Sequence, residues 1–283
     1  MHITTLVENR RNAADPQLVA EWGLSQCVEL GDRRVLVDLG ASDAFARNAA
    51  RLGIDVATAD AAIISHHHYD HGGGLRRFLE LNDRAPIFLG EAPGGEPTVR
   101  LLGVLRRRIG LDRGVIAAHA HRFRVVRERT EVVPGLHVLP QIRGEHPRPS
   151  GNRLLFLRRE DGTCVRDDFR HELVVAIRER DALVVLTGCS HNGLVNMVET
   201  VMREFPGLPV RAVVGGFHLA NLPPFKGMSE PRAIVESIGR GVLDLGVGTT
   251  YTGHCTGAQA FAVLRGVMGE RIAEIRSGSR LEL

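Results

Sequence analysis

Short runs of apolar, mostly β-branched residues recur along the chain, and each run stops at a glycine or at a cluster of polar residues. Runs of roughly four to eight such residues, bounded by these breakers, are typical of strands buried inside a sheet. The pattern predicts five strands of this kind, at Ile3–Val7, Arg34–Asp38, Ala61–Ser65, Leu183–Thr187 and Arg211–Val214.

Apolar residues at helical spacing follow several of these runs. Each of three such sets marks one face of a helix, and the sets begin at Leu75, Leu194 and Ile234. Strands that alternate with helices indicate a layered α/β domain rather than a helical bundle or a sandwich of sheets alone. We expect one domain over residues 1–283.

The alternation is interrupted between about residues 90 and 150. EAPGGEP, an arginine-rich helical piece and HPRPSGN replace the regular pattern there. We interpret this stretch as an excursion from the core and as a candidate cap over a functional site. Ordinary surface loops are the alternative interpretation.

Composition restricts the class of protein. The 283 residues are 43% hydrophobic and 24% charged, which suffices for a full core, and the formal net charge is only +3. A nucleic-acid binder usually carries a denser basic stripe than Arg106–Arg108, which we interpret as a solvated face. The four cysteines form no CxxC pair, and no apolar run has the length of a membrane span. We expect a soluble, cytoplasmic protein that binds neither nucleic acid nor membranes.

The segment SHHHYDHGGG, residues 65–74, follows the predicted strand Ala61–Ser65 directly. Because side chains of an extended chain alternate between its two sides, His66, His68 and Asp70 should point to one side, and His71 follows where the chain turns. Imidazoles and a carboxylate that converge in this way suit Zn²⁺, with Mn²⁺ or iron as alternatives. The sequence therefore predicts a site for one or two divalent metal ions.

Three later histidines are candidates to complete this site. His191, His218 and His254 each follow an apolar strand or a glycine-rich turn, in CSHNG, GGFHL and TGHCTG. In open α/β sheets, ligand sites gather just past the carboxyl ends of strands. His218 is a candidate ligand, proton donor or substrate contact.

The segment SHHHYDHGGG matches the H-x-H-x-D-H motif of the metallo-β-lactamase superfamily. The resemblance implies a four-layer αββα sandwich in which the first two histidines bind one ion and the Asp-His pair binds a second. His254 resembles the last histidine of that motif set, and Asp38 resembles the strand-end aspartate that orients the metal loop. A turn-forming role for Asp38 before Gly40 is the alternative.

One position departs from the family pattern. The turn in which the superfamily usually places a metal-bridging aspartate is GCSH here, so either His191 or Cys189 takes that role, and we favour His191. Glu145 or His146 lies in the stretch where the family's remaining histidine is expected. Along nearly the whole chain outside the excursion, VEN, EWGLSQCVEL, VLVDLG, LTGCSHNGLVN, VVGGFHL and TGHCTG resemble one branch of the superfamily, which includes archaeal dihydropterin–ribofuranosyl-aminobenzene phosphate synthases and bacterial metallo-hydrolases.

The expected function is metal-dependent hydrolysis of an ester, phosphoester or amide of a small molecule, phosphorylated compounds included. Asp70 and His218 are the candidate catalytic residues. The candidate metal ligands form two sets, His66, His68 and His191 for the first ion and Asp70, His71 and His254 for the second. Arginines of the excursion are candidate clamps for a phosphate or carboxylate, namely Arg143, Arg148 and Arg153. The alternatives are a synthase that joins an aromatic acceptor to a phosphoribosyl donor with release of pyrophosphate, and a metal-binding relative without catalytic activity.

Overall fold

The computed structural model describes residues 1–101, 105–221 and 227–283. The strands of these residues are β1 (His2–Val7), β2 (Ser25–Leu30), β3 (Arg33–Val37), β4 (Ala61–Ile64), β5 (Ile87–Gly90), β6 (Glu96–Leu101), β7 (Leu105–Arg108), β8 (Phe123–Val126), β9 (Thr130–Val133), β10 (Leu136–Leu139), β11 (Leu155–Arg158), β12 (Cys164–Arg166), β13 (Val174–Glu179), β14 (Ala182–Leu186), β15 (Val210–Gly215), β16 (Thr249–Thr252), β17 (Ile272–Glu274) and β18 (Arg280–Glu282). The α-helices are α1 (Ala44–Arg51), α2 (Tyr69–Gly72), α3 (Leu75–Leu81), α4 (Arg113–Ala118), α5 (Leu194–Glu204), α6 (Arg232–Asp244) and α7 (Ala258–Met268).

The strands form two large sheets and one small one. The first large sheet has the order β18-β1-β2-β3-β4-β5-β8, and the second has the order β17-β16-β15-β14-β13-β10-β9. The small sheet has the order β12-β11-β6-β7. Strands β3, β4, β5 and β8 run parallel, as do β14 to β17, so each large sheet has a group of carboxyl ends at one edge.

Alternating side chains build the layers on either side of each sheet. In β4, Ile63 packs into the core between the two large sheets, whereas Ile64 packs against Phe45 and Phe78 of the first sheet's helices. In β14, Val184 lies in the central core and Val185 lies under the helices of the second sheet. Apolar runs without a polar face are required because both faces of these strands are buried. The four-layer αββα sandwich predicted from the sequence is therefore confirmed.

Each of the five predicted strands is present, within a residue or two at its ends, as β1, β3, β4, β14 and β15. The three helical patterns correspond to α3, α5 and α6. The stretch 90–150 is more regular than the sequence indicates: β8 completes the first large sheet, and β9 and β10 belong to the second. Only part of this stretch leaves the large sheets, as β6 and β7, which pair with β11 further along the chain. In the described part of the chain, no helix combines the length and the apolarity that crossing a bilayer demands.

Candidate metal centre

The carboxyl ends of the parallel strands from both large sheets meet at one buried cluster. Nε2 of His71, which lies in α2 just after β4, is 3.2 Å from Nε2 of His254 after β16 and 3.2 Å from Sγ of Cys189 after β14. Sγ of Cys189 is 3.4 Å from Nε2 of His254. A carboxylate oxygen of Asp70 lies 3.5 Å from the same nitrogen of His254.

A second group of imidazoles adjoins the first. Nε2 of His66 lies 3.0 Å from Nδ1 of His68, and the ring of His191 packs 4.9 Å and 5.0 Å, between centroids, from these two rings. The ligand atoms of His66, Cys189 and His191 all lie within 4.8 Å of one another, as do those of His71, Cys189 and His254. Cys189 thus belongs to both groups and lies between them.

The spacing of these atoms fits a metal ion. Ligands that bind a tetrahedral Zn²⁺ at about 2.0–2.3 Å lie about 3.3–3.8 Å from one another. The separations of 3.2–3.5 Å around His71, Cys189 and His254 are close to that range. In addition, Nε2 of His191 is buried without a hydrogen-bond partner in the described residues. Buried polar atoms are rarely left unpaired, so the donor set fits a bound divalent ion.

Neighbouring oxygens fix the orientation of the imidazoles in the β4 loop. Nδ1–H of His71 donates to Asp38 at 2.6 Å, and Nδ1 of His66 lies 2.9 Å from Oγ of Ser65. Asp38 also accepts hydrogen bonds from the backbone and the hydroxyl of Ser65, at 2.7 and 2.8 Å. Oxygen partners at Nδ1 leave Nε2 free to bind a metal. Asp38 thus has the orienting contacts that the family resemblance implies.

His191 is positioned in the same way from two sides. Its Nδ1–H donates to Oδ1 of Asn152 at 2.9 Å, and Nδ2 of Asn152 donates to its carbonyl at 2.8 Å. The buried carboxylate of Glu172 accepts from the amides of His191 and Asn192, at 2.7 and 2.8 Å. Phe169 stacks on the imidazole with a centroid distance of 4.2 Å. Hydrogen bonds on one side and aromatic stacking on the other therefore fix the ring of His191.

The segment VEN near the beginning of the chain holds His254. Nδ1–H of His254 donates to Oδ1 of Asn9 at 3.0 Å, and Nδ2 of Asn9 donates to the carbonyl of His254 at 3.1 Å. The buried carboxylate of Glu8 accepts from the backbone amide of His254. These contacts give a physical reason for the polar pair Glu8 and Asn9 directly after the buried strand β1.

Burial keeps most of these imidazoles neutral. It lowers the pKa of His66, His68 and His191 well below 6.5, with a smaller contribution from neighbouring imidazoles. It lowers the pKa of His254 to about 3. Burial acts in the same direction on His71, but the carboxylates of Asp38 and Asp70 outweigh it and raise its pKa to about 9. Neutral imidazole is the form that binds a metal.

The loops at the cluster adopt strained backbone conformations. Asp38, Ser190, His218 and His254 all have positive φ, between 50° and 60°. This left-handed region is costly for residues with a Cβ, and such residues cluster at functional sites. Together with the convergence of the ligand atoms, this strain indicates a functional site at these strand ends.

The cluster forms the floor of a cavity of about 270 Å³. Trp22 and Tyr69 line it, together with Val99, Arg107 and Leu155 of the small sheet. The three arginines predicted as clamps do not line this cavity. Arg143, Arg148 and Arg153 are exposed, and the guanidinium groups of Arg143 and Arg148 donate to Gln141 and to the carbonyl of Asp168.

The structure brings the six predicted metal ligands and His218 together in one region. His68, Asp70, His191, His218 and His254 line the cavity, and His66 and His71 belong to the adjoining imidazole cluster. Cys189 and His191 both reach the cluster, and the preference for His191 in the bridging role stays a prediction. Glu145 and His146 do not reach it: both are exposed, and Nε2 of His146 lies 3.0 Å from a carboxylate oxygen of Glu199.

His218 lies at the edge of the cluster. Its ring packs 4.3 Å from that of His191, and neither of its ring nitrogens has a hydrogen-bond partner in the described residues. Cys255 lies beside it, since the backbone amide of His218 donates to its sulfur at 3.2 Å. The ligand atoms of Cys189, His218 and Cys255 also lie within 4.8 Å of one another.

Several residues of the site were missed by sequence reasoning. The supporting contacts of Asn152 and Glu172 join segments 39 and 19 residues apart, and no local pattern signals them. Arg107 is one of three consecutive arginines, and only the pairing of β7 with β6 decides that it faces the cavity. For Glu8 and Asn9, two polar residues just after a buried strand were an available signal.

Comparison with known proteins places these features in a family. A family model described as the metallo-beta-lactamase superfamily matches residues 25–160. The chain is 30% identical over 274 residues to the 7,8-dihydropterin-6-methyl-4-(beta-D-ribofuranosyl)-aminobenzene-5'-phosphate synthase of Methanocaldococcus jannaschii, and the alignment covers 91% of this chain and 88% of the synthase.

Solved structures give the same result. The crystal structure of a metal-dependent hydrolase of the beta-lactamase superfamily aligns with a TM-score of 0.81 and 30% identity, over 100% of this chain and 99% of that one. The isothiocyanate hydrolase from Delia radicum gut bacteria aligns with a TM-score of 0.57 and 15% identity, over 100% of this chain and 99% of its own, which shows a shared fold alone.

Proposed function

Because this chain belongs to the metallo-β-lactamase superfamily, we propose that it is a metal-dependent hydrolase acting on a phosphoester, or on another ester or an amide, of a small molecule. The observation that carries the proposal is the convergence of His71, Cys189 and His254, of which Cys189 and His254 line a cavity of about 270 Å³. Buried ligand atoms at metal-like spacing beside a cavity are what this chemistry requires.

One or two divalent ions fit the cluster, and its mixed imidazole, thiol and carboxylate donors favour Zn²⁺. Mn²⁺ and iron suit the same imidazoles and carboxylate. A bound ion of this kind supplies a water with a pKa near 7 and polarises the oxygen of the scissile group. In this proposal the ligands are His66, His68 and His191 for one ion and Asp70, His71 and His254 for the other, with Cys189 between them.

Two side chains are positioned to handle protons. The imidazole of His218 lies beside the cluster, and its ring nitrogens have no partner in the described residues, so it is free to donate a proton to a leaving group. The carboxylate of Asp70 lines the cavity next to His254 and can accept a hydrogen bond from the attacking water. The chain's remaining contribution is orientation, through Asp38, Asn152 and Asn9.

The test measures cleavage of bis(4-nitrophenyl) phosphate and 4-nitrophenyl acetate by protein loaded with Zn²⁺ or Mn²⁺. The proposal expects turnover that a chelator abolishes and the metal restores. His218→Gln should keep its metal and lose most of its turnover, on the order of a hundredfold. His146→Gln is the matched control, because His146 is an exposed histidine outside the cluster, and it should behave as the wild type.

A second candidate function is synthesis, in which an aromatic acceptor is joined to a phosphoribosyl donor with release of pyrophosphate. The 30% identity with the Methanocaldococcus jannaschii synthase along 91% of this chain favours it. An assay of pyrophosphate release distinguishes the two functions, because a synthase releases pyrophosphate only when donor and acceptor are both present. Metal binding without turnover in either assay would favour a metal-holding protein that has no catalytic activity.

A further inference from the structure

The small sheet presents one row of side chains to the cavity. Leu155 of β11 pairs in register with Val99 of β6, and Val99 pairs with Arg107 of β7. All three line the cavity, because residues directly opposite each other in neighbouring strands share a face of the sheet. Two members of the row are apolar, so Arg107 is the charged group on this wall.

Arg107 has no carboxylate partner in the described residues. Its guanidinium lies 5.6 Å from the centre of the Tyr69 ring, and Tyr69 also lines the cavity. By contrast, the next residue, Arg108, forms a salt bridge of 2.7 Å with Glu96 and donates to the carbonyl of Leu111. A guanidinium beside a cavity, resting on an aromatic ring and lacking a counter-ion, is suited to bidentate binding of an anion.

The other residues that line the cavity indicate the chemistry of the rest of the ligand. Trp22 and Tyr69 are aromatic, and Val99, Ile109 and Leu155 are apolar. A volume of about 270 Å³ lies just below the roughly 300–1,000 Å³ that is typical of ligand pockets. The cavity therefore has room for a small ligand such as one aromatic ring. The metal-ligand cluster lies on one side of it, and the guanidinium of Arg107 is the cation in its lining.

We propose that Arg107 binds an anionic group, a carboxylate or a phosphate, on a small substrate whose apolar or aromatic body lies against Trp22 and Tyr69. The assignment of this ligand as a substrate rests on the proposed function, whereas the binding contact itself does not. Arg107 is in this view the residue that selects anionic over neutral substrates.

The chain provides a direct probe, because Trp22 is its only tryptophan and it lines the cavity. Emission of Trp22 in the metal-loaded protein is titrated with phenylphosphonate, with benzoate and with benzamide, the neutral analogue of benzoate. The variants are Arg107→Ala and Arg107→Lys. Arg106→Ala is the matched control, because adjacent residues of a strand point to opposite faces and Arg106 does not line the cavity.

We expect Arg107→Ala to weaken binding of at least one anion about tenfold and to leave benzamide unchanged. Arg107→Lys should retain part of the affinity, and Arg106→Ala should match the wild type. Comparison of phenylphosphonate with benzoate identifies which anion is preferred. The proposal is overturned if neither anion produces a saturable change in Trp22 emission, or if Arg107→Ala binds both anions as the wild type does. It is also overturned if the variant loses as much affinity for benzamide as for the anions. If the wild type binds the anions through Arg107 but does not cleave the test esters, the proposed function is contradicted and the binding proposal stands.

Discussion

Sγ of Cys189 lies 3.2 Å from Nε2 of His71, at the point where the two groups of imidazoles meet. The resemblance places a bridging aspartate in this turn, and here a thiol occupies the space between the two groups. Thiolate is a softer ligand than carboxylate and is preferred by Zn²⁺ over Mn²⁺ or Mg²⁺. We therefore expect Cys189 to favour Zn²⁺ at the proposed site.

Cys189→Ala should lose affinity for at least one ion by about tenfold or more, because it removes a ligand from both groups. In protein loaded with Co²⁺, the wild type should show a sulfur-to-metal absorption band that is missing from this variant. Cys164→Ala is the matched control, because Cys164 lies in β12 of the small sheet, outside the cluster. An unchanged band in Cys189→Ala would show that the thiol does not bind metal.

His68→Ala should remove at least one ion per chain and abolish turnover while the fold survives. The physical reason is that Nδ1 of His68 lies 3.0 Å from Nε2 of His66, within the ligand group. Elemental analysis and circular dichroism measure the two outcomes. His67→Gln is the control from the same run, since Nε2 of His67 donates to the carbonyl of Gly90 at 3.0 Å and an amide can replace that donor. Full metal content in His68→Ala would refute the ligand assignment.

Asp38→Asn should lower metal affinity by about 10- to 100-fold without unfolding the protein. The carboxylate accepts from Ser65 and from Nδ1–H of His71, and an amide NH₂ facing that nitrogen would favour the wrong tautomer. Competition with a chromogenic chelator measures the affinity. Asp60→Asn, at the amino end of β4, removes a carboxylate that binds Arg33 and Arg34 instead, and it should leave metal affinity unchanged. Equal affinities for the two variants would count against an orienting role for Asp38.

Asn9→Ala should lower the affinity for one of the two ions and leave the affinity for the other unchanged. Asn9 contacts both the ring and the carbonyl of His254, whereas no hydrogen bond among the described residues joins it to His191. A calorimetric titration should resolve two classes of site in the wild type and a change in only one of them in the variant. The control is Asn12→Ala, which removes an exposed hydrogen bond from the backbone amide of Ala14 to Oδ1 of Asn12. Parallel weakening of both classes would mean that the two groups bind as one unit.

Much of the fold was predictable because its signals are local. Strands buried on both faces need continuous apolar runs, and β4 and β14 carry them as AAII and ALVVL. Their ends are marked by the polar residues that form the site, so SHHHYDH and CSH could be assigned to it. The branch of the superfamily was visible for the same reason.

The remainder depends on pairing between distant segments. Phe123–Val126 and Leu136–Leu139 are short, and only their partners β5 and β13 place them in the large sheets. Arg106, Arg107 and Arg108 are chemically identical, so the sequence alone could not separate the cavity-facing residue from its neighbours. A pairing register is a property of two strands, and a single run of residues does not contain it.

Asn9 and His254 are separated by 245 positions along the chain, yet they share a hydrogen bond. During synthesis on the ribosome, the first of these residues emerges long before the second exists. The candidate ligand cluster can therefore assemble only after the segment that contains His254 has been made. If the cluster binds metal as we propose, metal loading follows the docking of the two large sheets.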